Sequence, residues 1–152
     1  MKEEFKKIID ELPILMTTLN ESSFHHRLET EKFPEKGIYV FYENGKPMYT
    51  GRSENVKERV KAHGRPSSGH NSATFAFILA KENAISSEID LTQSREDLEK
   101  DTKFEPIYRA MKARVAKMQI KAVEIDNPIT QTFFEVYAAL ELNTPYNEWG
   151  TH

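Results

Sequence analysis

The chain has 152 residues, which is enough for one compact domain and too few for two typical ones. Cysteine is absent, which excludes a disulfide scaffold, a thiol nucleophile and a cysteine-ligated metal site. The net charge of −3 argues weakly against a nucleic-acid partner, but the charges are unevenly distributed. Residues 37–81 and residues 109–124 each carry a net charge of +4, whereas residues 82–108 carry −5. The two basic blocks would form one face if they fold together; otherwise they are solvated helix faces.

The sequence contains no signal for membrane insertion or export. No apolar run approaches the ~20 residues that a membrane-spanning helix needs. The stretch from Met1 to Lys7 mixes charges of both signs and lacks the apolar core of a secretory signal. We therefore expect a cytoplasmic protein without a membrane partner.

Helical and strand patterns alternate in the first part of the chain. Residues 3–19 carry apolar side chains at helical spacing and predict an amphipathic helix. Residues 37–42 are rich in β-branched and aromatic side chains and predict a buried strand. The dipeptide Asn44-Gly45 is a strong hairpin signal, so residues 46–51 should return as an antiparallel strand.

Five further elements follow the hairpin. A helix is predicted over residues 54–63 with Ser53 as its N-cap, and a second over residues 72–82. The loop between them lacks the Lys-Ser/Thr ending of a phosphate loop, so no nucleotide cofactor is predicted. An acidic connector runs through the eighties and nineties. The last elements are a basic amphipathic helix, a third strand and a helix opened by proline, over residues 104–117, 119–125 and 128–142.

These elements predict an α/β (α+β) fold in which a small, three-stranded, largely antiparallel sheet is flanked by helices. Nothing in the sequence marks a linker, so residues 1–152 form a single domain in this prediction. No self-pairing surface is apparent in the residues, and the oligomeric state stays open.

Four side chains near the hairpin are candidates for phosphate chemistry. The hairpin brings Tyr39 and Tyr49 onto neighbouring strands, where a hydroxyl can bind a phosphate oxygen or orient a water. A pair of core aromatics is the alternative. Arg59 and His63 are four residues apart on a predicted helix and share a face. A guanidinium suits a phosphate because it offers a planar fork of donors, although both side chains could equally be ordinary surface residues.

Glu135 lies in the most apolar helix of the chain. A carboxylate among small and apolar side chains is costly unless it is paired or binds a cation, which favours a functional role. Glu141 in the same helix is expected to face water. The predicted core stripe of this helix comprises Phe133, Val136, Tyr137 and Leu140.

Two triplets, Gly37-Ile38-Tyr39 and Tyr49-Thr50-Gly51, resemble the signature of the GIY-YIG nucleases. Thr50 departs from the Ile or Val that is usual there, but a β-branched residue still suits a strand. Five further residues match positions of the family's pattern: Arg52, Arg59, His63, Glu135 and Asn147. The resemblance covers residues 37–63 and 118–147. It leaves residues 1–36 as an N-terminal helical extension and residues 64–117 as a helical insertion.

The resemblance implies hydrolysis of a DNA phosphodiester bond in a single-metal site. Glu135 would hold the metal, and because the sequence shows no second acidic residue converging there, Mg²⁺ (or Mn²⁺) with several waters is expected. Tyr39 would be the general base or would position the water, and Tyr49 would position the phosphate. Arg59 would stabilise the charge that develops on the phosphoryl oxygens. His63 would contact the phosphate or assist the base, and Asn147 would hold a neighbouring group in place.

Other cations are candidates for holding the DNA backbone. Arg52 follows the second triplet directly. The predicted helix over residues 104–117 adds four cations that should share one broad face: Arg109, Lys112, Arg114 and Lys117. Phosphate contacts of this kind would make binding salt-dependent, and a solvated helix face is the alternative.

A metal-dependent DNA endonuclease is therefore the leading hypothesis, with repair, restriction and mobile-element roles all open. One alternative is a module that keeps the fold but binds a nucleic acid or a protein without cleaving. Another is a nuclease that acts on RNA.

Overall fold

A three-stranded antiparallel sheet with the strand order β2-β1-β3 forms the centre of the fold. The computed structural model describes residues 1–150, and the predicted α+β class with a small antiparallel sheet is confirmed there. The strands are β1 (Gly37–Glu43), β2 (Lys46–Ser53) and β3 (Gln119–Glu124). The helices are α1 (Glu3–Glu21), α2 (Val56–His63), α3 (Thr74–Asn83), α4 (Arg95–Lys100), α5 (Phe104–Ala116) and α6 (Pro128–Leu142). None of these helices combines the length and the apolar character needed to cross a membrane.

The hairpin forms where the sequence predicts it. Asn44 and Gly45 both have positive φ, +52° and +78°, which is the backbone of a two-residue type I′ turn. The pairing of β1 with β2 places Tyr39 opposite Gly51 and Phe41 opposite Tyr49. Both tyrosines of the two triplets therefore lie on neighbouring strands, as predicted.

Strand β1 is buried on both faces because helices cover both sides of the sheet. Tyr39 and Phe41 point into a core shared with α2, α3 and α5. Ile38, Val40 and Tyr42 point the other way, into a second core shared with α1 and α6. This layering accounts for the continuous apolar run of β1, since neither face meets water.

The segment predicted as an insertion completes the first of these cores. Phe75 and Phe77 of α3 are fully buried with Phe104 and Tyr108 of α5, in the same cluster as Phe41. The rings of Phe41 and Phe75 lie 5.7 Å apart, which joins α3 directly to the sheet. Residues 64–117 therefore pack together with α2 over one face of the sheet.

Two local predictions are wrong. Helix α2 begins at Val56, and its N-cap is Asn55, whose side chain accepts a hydrogen bond from the Glu58 amide at 3.3 Å. Ser53 instead accepts from the Asn55 amide and shapes the turn before the helix. The acidic connector also contains a helix, α4, which is capped by Ser94 through the Asp97 amide. The pattern Ser-x-x-Asp is the sequence signal for that start.

Helix α6 buries a face that matches the predicted one only in part, because Phe133 and Tyr137 are half-buried against the second core while the other two stripe residues are exposed. Of the predicted stripe, Val136 is 40% exposed and Leu140 is 68% exposed, whereas Phe134 is fully buried. The buried positions also include Gln131 and Ala138, one turn before and one turn after Phe134. This rotation arises because the second core closes on Phe134, and it leaves Glu135 half-buried at the edge of the helix interface.

Gly51 provides a test of how β1 and β2 pack. A Cβ atom at this position would overlap the phenol ring and hydroxyl of Tyr39, which is itself fully buried and has no room to move. We expect Gly51→Ala to lower the free energy of unfolding by about 2 kcal/mol or more, measured by urea denaturation. Gly150→Ala is the matched control, because nothing lies within 4 Å of the added Cβ. Equal stability of the two variants would contradict this packing.

Candidate active site

Tyr39 and His63 form a buried polar pair at the centre of the first core. The Tyr39 hydroxyl lies 2.8 Å from Nε2 of His63, and both residues are closed from solvent. Strand β1 supplies the tyrosine, and the last residue of α2 supplies the histidine. The aromatic rings of Phe41 and Tyr49 pack against the imidazole at 5.3 Å and 5.7 Å and hold it in place. The predicted proximity of Tyr39 and His63 is thus a direct contact.

Burial controls the protonation of this pair. It raises the pKa of the Tyr39 phenol, and the neighbouring Tyr49 adds to the rise while the Arg59 guanidinium opposes it. Burial also lowers the pKa of His63 well below its usual value, and the charge of Arg59 acts in the same direction. His63 is therefore neutral at pH 7. Its Nδ1 atom is buried and has no hydrogen-bond partner among residues 1–150.

The buried neutral histidine predicts an acid-sensitive fold. Below pH about 6.5 the unfolded chain protonates His63 and the folded chain does not, so stability falls with a slope of up to about 1.4 kcal/mol per pH unit. We expect urea unfolding between pH 7.5 and 5.5 to show this loss in the wild type and a shallower one in His63→Gln. The other histidines are common to both proteins and cancel in the comparison. Parallel pH profiles would contradict the assignment.

Arg59 lies beside this pair and is held by the segment that precedes α3. Its Nη1 atom donates to the carbonyl oxygens of Asn71 at 2.9 Å and Ser72 at 3.1 Å. Its Nη2 atom donates to the Thr74 hydroxyl at 3.0 Å. The guanidinium is thereby fixed in one orientation, and most of its donors are occupied within the protein.

Glu135 and Tyr49 line a cavity of about 170 Å³. Tyr39 and His63 do not line it, but the Tyr49 ring in its wall packs against the His63 imidazole at 5.7 Å. The Tyr49 ring stacks on Phe75, with 4.8 Å between centroids and 4° between planes. Burial raises the pKa of Tyr49, and the negative charge of Glu135 contributes to the raised pKa of both tyrosines. Glu135 therefore lies within electrostatic range of both hydroxyls. The complete lining comprises Tyr49, Thr74, Ile78, Arg95, Glu135, Asn147, Glu148 and Trp149.

Asn147 fastens the C-terminal segment to β2. Its side-chain oxygen accepts from the Thr50 amide at 2.9 Å, and its side-chain nitrogen donates to the Thr50 carbonyl at 2.7 Å. The Thr144 hydroxyl donates to the same side-chain oxygen at 2.7 Å. Both hydrogen-bonding groups of the amide are thus used to hold the backbone between Tyr49 and Gly51.

Two charged residues of the cavity were missed by the sequence analysis. Glu148 brings a second carboxylate beside Glu135, so the prediction that no other acidic residue converges there is wrong. Arg95 is the first residue of α4, which lies in the segment predicted to be an acidic connector without a helix. Its Nη2 atom lies 3.6 Å from a Glu148 carboxylate oxygen. Only the tertiary fold brings these three charges together.

The predicted basic face on α5 does not form as expected. Lys112 is buried, where it donates to the carbonyl oxygens of Pro66 at 2.6 Å and Ser68 at 2.9 Å. Arg114 is half-buried in a two-bond pair with Glu43, at 2.7 Å and 2.8 Å. The prediction of one shared surface is therefore wrong for these two residues, whose donors satisfy groups within the fold.

The other predicted backbone-binding cations are exposed. Arg109 forms a loose helical pair with Glu105 at 3.5 Å, and Lys117 follows the end of α5. Arg52 lies at the end of β2, with Nη1 at 3.5 Å from the side-chain oxygen of Gln131. Gln131 is fully buried one turn before Glu135 and donates to the Ile125 carbonyl, which ties α6 to the chain leaving β3.

The donor set of the cavity suits a hard divalent cation. The Glu135 carboxylate is a ligand of the kind that Mg²⁺ and Mn²⁺ prefer, and Mg²⁺ retains several waters when one carboxylate binds it, whereas Glu148 pairs with Arg95. Within residues 1–150, no group of three or more His, Cys, Asp or Glu side chains is placed to hold a metal by itself. The residues therefore fit a cation that shares its coordination with water and a substrate phosphate.

Comparisons of the chain with protein-family models, with curated proteins and with solved structures found no match. The residues of the cavity and their geometry therefore carry the functional proposal.

Proposed function

We propose that the chain is a GIY-YIG-type endonuclease that hydrolyses DNA phosphodiester bonds with Mg²⁺ or Mn²⁺. The observation that carries the proposal is the buried pair of Tyr39 and His63, beside Arg59 and next to a cavity lined by Glu135. A core has no need of this arrangement, because burying an imidazole whose Nδ1 atom has no hydrogen-bond partner among residues 1–150 lowers stability. Perturbed titratable groups that converge on a cavity are typical of a catalytic site.

The pair supplies a route for the proton of the attacking water. Burial keeps Tyr39 protonated, so the phenol cannot begin the reaction as a phenolate. The Tyr39 oxygen takes a proton from the water as its own proton passes to Nε2 of His63, 2.8 Å away. The water oxygen forms a bond to phosphorus, and the bond to the leaving oxygen breaks. The imidazolium is disfavoured in this setting, so His63 returns the proton to the Tyr39 oxygen as the phenol proton passes to the leaving oxygen.

The remaining side chains bind and orient. Arg59 faces the developing negative charge with a guanidinium that is already fixed by three hydrogen bonds. Tyr49 presents its hydroxyl to the phosphate from the cavity wall, and Asn147 keeps the Tyr49 backbone in place through Thr50. A divalent cation held by Glu135 would polarise a phosphoryl oxygen and the leaving oxygen. We place this activity in the cytoplasm, because a chain without cysteine is compatible with a reducing compartment.

A module that binds without cleaving is the second candidate. The observation in its favour is that the Tyr39 hydroxyl is closed from solvent, so that substrate must open a path to it. The two candidates differ in one measurable property, which is the turnover of a nucleic acid that the protein binds.

The test is a cleavage assay on labelled single-stranded, duplex and branched DNA and on RNA, with Mg²⁺, with Mn²⁺ and with a chelator. We expect metal-dependent cleavage of at least one DNA substrate. Cleavage of RNA alone would replace DNA by RNA as the substrate. Binding without cleavage under every condition would replace the nuclease by the binding module.

A further inference from the structure

Arg95 occupies an unexpected position for a residue of an acidic segment. Residues 82–108 have a net charge of −5, and α4 itself carries Glu96, Asp97 and Glu99 beside Arg95 and Lys100. Lys100 points to solvent and pairs with Glu96 one turn earlier. Arg95 instead turns toward the cavity that contains Glu135 and contacts Glu148 across it. Among the described residues that line this cavity, it is the one cation.

The guanidinium of Arg95 forms no close hydrogen bond within the described residues. Its contact with Glu148, at 3.6 Å, is an ion pair beyond hydrogen-bond distance, and both side chains are partly exposed. The guanidinium also lies over the Phe77 ring, 5.6 Å from its centroid, which positions the group without using a donor. Arg59, by contrast, donates three hydrogen bonds, two to backbone carbonyl oxygens and one to the Thr74 hydroxyl. Arg95 therefore retains the planar fork of donors that recognises a phosphate.

The surroundings of Arg95 match a nucleotide better than an isolated anion. Trp149 lines the same cavity and is 42% exposed, so its indole is available for stacking on a base. Glu148 stands beside the guanidinium and would compete with any anion of single charge for it. A polynucleotide offers both a phosphate for Arg95 and a base for Trp149, which compensates for displacing Glu148.

We propose that Arg95 is a substrate-binding residue that holds a phosphate of the nucleic acid whose base stacks on Trp149. Glu148 occupies its guanidinium until the substrate displaces it. This inference rests on the proposed function, because the phosphate it assigns belongs to the same substrate. It adds to the predicted site a cation from the 64–117 segment and a carboxylate that restrains that cation.

Four variants test the inference: Arg95→Ala, Arg95→Lys, Glu148→Gln and the matched control Lys100→Ala from the same helix. Steady-state cleavage of one labelled DNA substrate is measured at several salt concentrations. We expect Arg95→Ala to raise KM about tenfold or more, with a smaller change in kcat, and to reduce the salt slope of the affinity by about one unit. Arg95→Lys should recover part of the loss, and Lys100→Ala should stay within about twofold of the wild type.

The variant Glu148→Gln tests whether Glu148 restrains the Arg95 guanidinium or only packs against it. Without the competing carboxylate, the KM of Glu148→Gln should be lower than that of the wild type. In the double variant that also carries Arg95→Ala, this decrease in KM should be absent. Thermal unfolding of each variant confirms that the fold is retained. Equal KM values for Arg95→Ala and Lys100→Ala would overturn the inference. A loss of metal affinity in Glu148→Gln would also overturn it, because Glu148 would then be a metal ligand.

A wild-type chain that cleaves no nucleic acid overturns the proposed function, and binding then decides the role of Arg95. Fluorescence anisotropy with the same labelled DNA supplies that measurement. Weaker binding by Arg95→Ala than by Lys100→Ala would support a phosphate contact without catalysis. Equal binding by the two variants, or no binding by the wild type, would overturn the inference as well.

Discussion

We expect Glu135→Ala to abolish metal-dependent cleavage while DNA binding stays measurable. The expected loss of rate is about 10³-fold or more, equivalent to roughly 4 kcal/mol of transition-state stabilisation. The physical reason is that Glu135 lies in the cavity close enough to affect the pKa of both tyrosines, where a carboxylate can anchor a cation beside the phosphate. The cations Arg52, Arg109 and Lys117, which we propose attract the DNA backbone, are exposed and untouched by the substitution, so binding should persist.

The measurement is plasmid nicking with and without Mg²⁺, accompanied by a titration of Mg²⁺ and of Mn²⁺. Glu141→Ala is the matched control, because Glu141 is exposed on the same helix and does not line the cavity. Its rate should equal that of the wild type. Full activity of Glu135→Ala, or equal losses in the two variants, would remove Glu135 from the site. Activity restored at high metal concentration would support weakened coordination as the cause.

Arg59→Ala is expected to lower the cleavage rate about 10²-fold or more, by analogy with the loss of one donor from an oxyanion site. Its guanidinium lies beside the Tyr39 hydroxyl and lowers the pKa of that phenol and of His63 alike, so the main expected loss is the lost donor to the phosphoryl oxygens. Arg59→Lys keeps the charge without the fork of donors, so its cleavage rate should lie between that of the wild type and that of Arg59→Ala. The loss should appear in kcat more than in KM, because the proposed contact strengthens as charge develops.

Arg59 also supports the structure, so stability must be measured alongside activity. The variant leaves the carbonyl oxygens of Asn71 and Ser72 without their donor, and we expect some loss of thermal stability. Arg65→Ala is the matched control, because Arg65 bonds Glu58 at the surface and does not line the cavity. Partial rescue of Arg59→Ala by added guanidinium ion would assign the loss to chemistry. If the cleavage rate of Arg59→Ala falls in proportion to the unfolded fraction and guanidinium ion does not restore it, the loss of activity is due to the structural role of Arg59.

Local features of the chain were predicted well because short-range physics controls them. The turn at Asn44-Gly45 needs two residues that tolerate positive φ, and few other pairs do. Helix α6 begins at Pro128 after the cap Asn127, whose side chain accepts from the amide of Ile129. The contact of Tyr39 with His63 also follows from local spacing, because one hairpin and one helix connect the two residues.

Features that depend on long-range packing were not predicted. Lys112 looks like a surface cation in its helix, and only the loop at Pro66 and Ser68 shows that it is an internal donor. Arg114 pairs with Glu43 across 71 residues of sequence, which no periodicity records. The buried face of α6 was predicted only in part for the same reason, because the neighbouring elements bury Phe134 fully and leave Val136 and Leu140 exposed.

The sequence by itself determined the class of fold, the hairpin, the bounds of the longer helices and the set of residues proposed for phosphate chemistry. Each of these depends on residues that are close along the chain or on residue types at set offsets. The tertiary structure decided which of those residues meet, which cations remain exposed, and that Glu148 and Arg95 join the cavity of Glu135. The physical reason is that burial and charge pairing depend on elements distant in sequence, whose approach is determined only when the two cores close on the sheet.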